Sequence, residues 1–145
     1  MTPRTWLGSE TLAQLPAGTV PDAVVAGVGT GGTIAGVGQC FRARNASCQI
    51  VAVEPSESCT LLCGEVGRHL IDHVVAIDSR AAIGEMRRLA REHGLFAGPS
   101  SGANLLAARR LRASQPALRQ VVTFFCDEGE KYINDHFTYE DDYPR

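Results

Sequence analysis

Lysine is nearly absent from this sequence. Lys131 is the only lysine among 145 residues, and the other basic residues are arginines that leave a net charge of −2. Those arginines recur at helical spacing between apolar residues, as on the solvated face of a helix. No basic cluster remains that would indicate binding to nucleic acid.

Long apolar runs and paired cysteines are also missing. No run approaches the roughly 20 residues that cross a membrane, and residues 1–6 lack the apolar core of a secretion signal. The five cysteines are an odd number and match no disulfide or zinc-binding spacing. His69 and His73 are four residues apart, but no third ligand accompanies them. We therefore expect a cytoplasmic protein with reduced cysteines and no metal site.

The sequence does contain alternating strand and helix patterns. Four apolar runs rich in β-branched residues predict strands at 22–28, 49–54, 73–77 and 120–125. Helical patterns predict helices before Pro16, at 33–44, from an N-cap at Ser79 to a stop at Gly94, and at 102–113. This order predicts an α/β fold with three layers, in which helices flank a mostly parallel sheet. The domain is expected to span residues 1–137, followed by an acidic tail at 138–145.

A glycine-rich loop, Gly27-Val28-Gly29-Thr30-Gly31-Gly32-Thr33, lies between the first predicted strand and the helix that follows it. Glycines let the backbone turn sharply and approach an anion, and the N-terminus of the next helix stabilises negative charge. The loop therefore predicts a phosphate site. A second interpretation remains open, because Gly27, Gly29 and Gly32 also satisfy G-x-G-x-x-G and Glu54 ends the next strand, as in a dinucleotide-binding fold.

Three further motifs accompany the loop in a fixed order. They are Val53-Glu54-Pro55, Gly98-Pro99-Ser100-Ser101-Gly102 and the segment from Asp127 to Tyr132. With the GTGGT segment of the loop, they resemble the cysteine synthase and cystathionine beta-synthase family of pyridoxal-phosphate-dependent enzymes. The resemblance extends from about Glu10 to Phe137. It implies the C-terminal part of a tryptophan synthase beta-like fold, with an incomplete large domain.

The resemblance also implies roles for individual residues. Five residues would bind the phosphate of pyridoxal 5′-phosphate through backbone N–H groups and threonine hydroxyls: Gly29, Thr30, Gly31, Gly32 and Thr33. Ser100 would meet the pyridine nitrogen through its hydroxyl, which leaves the ring a mild electron sink suited to β-elimination and β-replacement. From the residues alone, Ser100 and Ser101 are more typical of a helix N-cap, and both interpretations can hold together.

The lysine that holds pyridoxal phosphate as a Schiff base in this family has no counterpart here. Family members carry it in their N-terminal half, whereas Lys131 matches a basic surface position near the C-terminus. No catalytic residue is therefore assigned, and whether the chain is an enzyme by itself is open. We also assign no role to Glu54 or to the histidines, which are expected at the surface or in packing.

The resemblance implies a fragment or split subunit of an enzyme of amino-acid metabolism. Its reaction would be that of a cysteine synthase or a cysteine desulfhydrase, on a small amino-acid substrate, and the chain would be inactive alone. A partner chain supplying the N-terminal half, or a homodimer, would complete it. Two alternatives remain: a non-catalytic phosphate-binding remnant, and a dehydrogenase domain that binds a nicotinamide dinucleotide.

Overall fold

A computed structural model describes residues 3–58 and 70–137. The predicted acidic tail at 138–145, Cys59, Cys63 and His69 lie outside them. The helices and strands, in chain order, are α1 Pro3–Gln14, β1 Ala23–Gly27, α2 Gly32–Arg44, β2 Gln49–Pro55, β3 His73–Ile77, α3 Ser79–His93, α4 Pro99–Ser114 and β4 Val121–Thr123. A 3-10 turn at Gly129–Tyr132 and a π turn at Ile133–Phe137 follow.

The four strands form one parallel sheet in the order β3-β2-β1-β4. Successive side chains of β1 point to opposite faces. Val24 and Ala26 join the apolar cluster that contains α2, whereas Ala23 and Val25 join the cluster that contains α4. The predicted α/β fold with a parallel sheet between helical layers is therefore confirmed. None of the helices in the described residues is long and apolar enough to span a bilayer.

The pairing of β1 with β4 joins residues about a hundred positions apart. Asp22 Oδ2 accepts hydrogen bonds from the backbone N–H groups of Arg119 and Gln120, at 2.7 and 2.8 Å. Thr123 Oγ1 donates to the Val25 carbonyl oxygen at 2.8 Å. These bonds fix the start of β4 beside β1 and bring the loop after β4 next to the glycine loop.

Several predicted boundaries are wrong by a few residues. The N-cap of α3 is Asp78, whose carboxylate accepts from the Ala81 N–H at 2.9 Å, and Ser79 is the first helical residue. The helix predicted at 102–113 begins at Pro99 instead, because proline at the first position already has a helical φ. The strand predicted at 120–125 keeps its pairing only over Val121–Thr123. The stop at Gly94 is confirmed by its left-handed φ of 66°.

Candidate functional site

A cavity of about 520 Å³ opens at the carboxyl ends of the parallel strands. Its wall includes the start of the glycine loop, the end of β2, the first turns of α3 and α4, and the segment after β4. In parallel α/β folds this edge of the sheet is where ligands bind, because the loops that leave the strands converge there. The cavity is therefore the candidate site.

The glycine loop forms one side of the cavity and is shaped for close approach. Gly31 is the N-cap of α2 with a left-handed φ of 79°, and no side chain caps the helix. An added Cβ on Gly29 would meet no atom within 4 Å, and one on Gly32 would meet only Thr30 Oγ1, at 3.9 Å. The loop thus leaves open space in front of a helix N-terminus, where an anion is stabilised.

The predicted phosphate-binding residues do not all face the cavity. Gly29 and Thr33 belong to its wall, together with Gly27 and Val28. Thr30, Gly31 and Gly32 form the turn between them without contributing to the wall. The structure therefore places the five residues in one continuous turn, with its two ends at the cavity.

Ser100 and Ser101 have different surroundings. Ser100 is exposed and belongs to the cavity wall. Ser101 is fully buried, and its hydroxyl donates to the Cys126 carbonyl oxygen at 2.8 Å while accepting from the Cys126 N–H at 2.7 Å. Neither serine is the N-cap of α4, since Gly98 occupies that position without a side-chain bond. The N-cap interpretation of these serines is therefore wrong.

Three buried side-chain atoms in the described part of the chain have no hydrogen-bond partner: Glu54 Oε2, Asn104 Oδ1 and His136 Nδ1. All three residues belong to the wall of the same cavity. Buried polar atoms are nearly always satisfied, and an unpaired one destabilises the fold by about 1–3 kcal/mol. Three such atoms around one cavity indicate a site for a polar ligand.

His136 and Asn104 were not singled out from the sequence. Asn104 lies on the buried face of α4 between apolar neighbours, and this was the only signal that could have identified it. His136 follows the Asp127–Tyr132 motif without a distinctive pattern. It is positioned by a hydrogen bond from Arg87 Nε to its carbonyl oxygen and by stacking on Tyr132, with ring centroids 6.0 Å apart.

Lys131 lies away from the cavity. Its side chain is 63% exposed, and its Nζ is 3.8 Å from Asp127 Oδ1. Asp127 also accepts from the Tyr132 hydroxyl at 2.9 Å, and this hydrogen bond raises the pKa of Tyr132. Cys126 does lie on the wall, but burial and the nearby Asp127 charge raise the pKa of its thiol. Lys131 therefore does not line the cavity, and the raised pKa of the Cys126 thiol disfavours the nucleophilic thiolate.

Comparisons with known proteins agree on one family. The model of a family described as pyridoxal-phosphate dependent enzyme matches residues 2–69 and 59–127. The chain is 35% identical to the cysteine synthase of Staphylococcus aureus, across 88% of this chain and 46% of that protein. It is also 35% identical to O-ureido-L-serine synthase of Streptomyces lavendulae, across 87% and 44%. The chain spans about half the length of these relatives.

Solved structures of similar proteins share the fold. A crystal structure of O-ureido-L-serine synthase has a TM-score of 0.85 and 33% identity, covering 97% of this chain and 50% of its own. A hydrogen sulfide-producing enzyme from Fusobacterium nucleatum has a TM-score of 0.80 and 30% identity, covering 95% and 47%. The matched residues and the shared fold show that this chain belongs to the family of pyridoxal-phosphate-dependent enzymes and resembles its cysteine synthases.

Proposed function

We propose that this chain is the pyridoxal-phosphate-binding part of a cysteine synthase-like enzyme that works only with a second chain. The observation that carries the proposal is the cavity, whose wall includes the ends of an open glycine loop and three residues that each have an unpaired buried polar atom. Bound pyridoxal phosphate supplies the electron sink for removing or replacing a substituent on the β-carbon of an amino acid. The chain's own residues hold and orient it.

The dimensions and chemistry of the site fit this cofactor. A volume of about 520 Å³ lies within the range of small-molecule pockets. The loop from Gly29 to Thr33 offers backbone N–H groups and two threonine hydroxyls to a phosphate, without a cationic side chain. Ser100, exposed at the start of α4, offers a hydroxyl to the pyridine nitrogen. These six residues form the proposed cofactor site.

The proposed partner supplies the lysine that would hold the cofactor. The only lysine of the chain lies outside the cavity, paired with Asp127. A lysine amine in such enzymes both holds the cofactor and moves the substrate proton, so a chain without it has no base of the required kind. Val74 in the edge strand β3 and Phe125 just after the edge strand β4 are 48% and 46% exposed, which supports a covering partner. That partner is an N-terminal half or a second copy.

The first experiment tests the phosphate site. Pyridoxal and pyridoxal 5′-phosphate are titrated against the purified chain, and tighter binding of the phosphate ester is expected. Gly29→Asp should abolish that difference, because its carboxylate fills the open space and repels the anion. Gly84→Asp is the matched control, since Gly84 is also exposed and an added Cβ there meets no atom within 4 Å. Equal affinity for both vitamers would contradict the proposal.

A nicotinamide dinucleotide site is a second candidate. Two observations favour it: the strand order β3-β2-β1-β4 also occurs in dinucleotide-binding folds, and Glu54 lies on the cavity wall, where a ribose hydroxyl could donate to it. The family match favours pyridoxal phosphate instead. Titration of the same chain with a nicotinamide dinucleotide distinguishes the two, because tighter binding than that of pyridoxal 5′-phosphate would favour the dehydrogenase interpretation.

A further inference from the structure

The outer edge of β4 carries backbone groups that no strand of the described residues pairs. In a parallel pair of strands, alternate residues direct both their N–H and their C=O group toward the neighbouring strand. The Ala23 N–H donates to the Gln120 carbonyl oxygen at 3.2 Å, so the backbone groups of Val121 and Thr123 point away from β1. Because β4 is the last strand in the order β3-β2-β1-β4, these groups face the outside of the sheet.

The apolar run to which β4 belongs is longer than its pairing with β1. The pairing ends at Thr123, whereas the run continues through Phe124 and Phe125. Phe124 belongs to the cavity wall, and Phe125 is exposed. β-branched and aromatic residues beside unpaired backbone groups are typical of an edge to which a further strand can be added. The available edge therefore extends from Val121 to Phe125.

The opposite edge of the sheet, at β3, is partly blocked. The Ser56 N–H donates to the Ile77 carbonyl oxygen at 3.0 Å, so Val74 and Ala76 direct their backbone groups away from β2. Arg110 Nη1, from α4, donates to the outward carbonyl oxygen of Ala76 at 3.2 Å. The guanidinium occupies an acceptor that an added strand would use, and charged side chains on an edge oppose pairing with other chains. The two edges are therefore not equivalent.

The edge at β4 is also the one nearer to the glycine loop. That loop follows β1, which pairs directly with β4, whereas β2 separates β1 from β3. Neighbouring strands are about 4.8 Å apart, so a strand added at β4 would lie about 10 Å from β1 and one added at β3 about 14 Å. An added strand at β4 would also lie beside the segment that supplies Phe124 and Cys126 to the cavity wall.

We propose that the second chain contributes a strand that pairs with the outer edge of β4 and extends the four-stranded sheet on that side. The inference rests on the proposed function, because it assigns where the partner in that function binds. The occupant is an extended apolar segment of the half that this chain lacks, since the chain spans 46% of the Staphylococcus aureus relative and Phe125 is left exposed. Main-chain hydrogen bonds supply the affinity, and apolar contact with Phe125 supplies specificity.

The test uses one proline on each edge of the sheet. Val121→Pro removes an outward N–H of β4 without removing a hydrogen bond to β1, and Val74→Pro is the matched control on β3. Each variant is coexpressed with the N-terminal half of the Staphylococcus aureus cysteine synthase, and the affinity of the two chains is measured. Val121→Pro should weaken association by about 10-fold or more, because proline removes a donor and its ring obstructs the added strand. Val74→Pro should leave the affinity unchanged.

Amide hydrogen exchange on the unmodified chain gives a measurement that needs no folded variant. Association should slow exchange at Val121 and Thr123 and leave Val74 and Ala76 unchanged, because only a paired N–H is protected. Protection at β3 instead of β4, an unchanged affinity in a folded Val121→Pro protein, or no association at all overturns the inference. The proposed cofactor site is decided separately, because it fails only if the chain binds pyridoxal 5′-phosphate no more tightly than pyridoxal.

Discussion

Two neighbouring serines in the first turn of α4 have different roles: one faces the cavity and the other holds the segment after β4 in place. Ser100 is exposed on the cavity wall, whereas Ser101 is buried and bonded in both directions to the backbone of Cys126. Cys126 itself belongs to the wall. We therefore expect Ser100 to act on ligand affinity and Ser101 to act on the stability of the segment that follows β4.

Replacing Ser101 by alanine should destabilise the fold by about 1 kcal/mol, because the Cys126 N–H loses its partner, whereas the Cys126 carbonyl oxygen keeps its bond from the Gly98 N–H at 3.1 Å. Urea unfolding measures the change. Ser114→Ala is the control, since the Ser114 hydroxyl donates to the Leu111 carbonyl oxygen from an exposed position at the other end of α4. Equal effects of the two substitutions would contradict the assignment of Ser101 as a buried link.

At the residue scale the sequence indicates turns better than it indicates buried polar contacts. The glycine loop was predictable because glycine is required where φ is positive, as at Gly31. The unpaired oxygen of Asn104 was not predictable, because the sequence does not show whether the amide of a helical asparagine faces solvent or a cavity. The two hydrogen bonds of Ser101 depend on Cys126, which is 25 residues distant and reaches α4 only through the tertiary fold.

At the scale of elements, α3 and α4 are held at a very short distance. An added Cβ on Gly102 would overlap the Ala82 carbonyl oxygen and lie 2.8 Å from the Met86 backbone nitrogen. Both obstacles are backbone atoms of α3, which cannot rotate away. The two helices also supply Ile83 and Ser100 to the same cavity wall, so their spacing sets its width.

Gly102→Ala should therefore destabilise the protein by about 3 kcal/mol, at the upper end of the usual cost of overpacking. Gly84→Ala is the matched control within α3, because its Cβ would meet no atom within 4 Å. It should instead stabilise the protein by about 0.5–1 kcal/mol, since alanine favours a helix interior over glycine. Thermal unfolding distinguishes the two, and a neutral Gly102→Ala would show that the helices can separate without cost.

The positions of elements were predictable and their ends were not. Apolar runs located all four strands, because β1 and β2 are buried in the middle of the sheet and the more exposed edge strands β3 and β4 have the same β-branched composition. The N-cap of α3 was misplaced by one residue because Asp78 and Ser79 are both good caps, and only the bond from Ala81 selects the aspartate. β4 is shorter than its apolar run because pairing with β1 ends at Thr123, while Phe124 and Phe125 continue toward the cavity and the surface.

For the whole molecule, the proposed division between two chains predicts that the isolated chain does not release sulfide from cysteine. Adding the N-terminal half of the Staphylococcus aureus cysteine synthase, which provides the missing lysine, should restore measurable release if the chain is a working subunit. The Gly29→Asp variant should give none in the same mixture, and Gly84→Asp should equal the unmodified chain. A failure of complementation by a folded, cofactor-binding chain would favour the non-catalytic remnant.

The isolated chain would be an enzyme by itself only if Lys131 bound pyridoxal 5′-phosphate covalently. Its ammonium lies beside the Asp127 carboxylate at 3.8 Å and outside the cavity wall. Borohydride reduction with pyridoxal 5′-phosphate should therefore leave no stoichiometric label on this lysine in peptide maps. Stoichiometric labelling of Lys131, together with turnover that Lys131→Ala abolishes, would show that the chain is an enzyme by itself.

The bonds between Asp22 and the N–H groups of Arg119 and Gln120 have a consequence for the order of folding. They close a loop of nearly one hundred residues, and contacts of such high sequence separation form late because loop closure costs entropy. During synthesis, β1 and β2 can pair as soon as both have left the ribosome, whereas the part of the cavity wall formed by Phe124, Cys126 and His136 is missing until β4 pairs with β1. A ligand that binds the cavity therefore stabilises only the finished molecule, and its presence should slow unfolding without accelerating the early steps of folding.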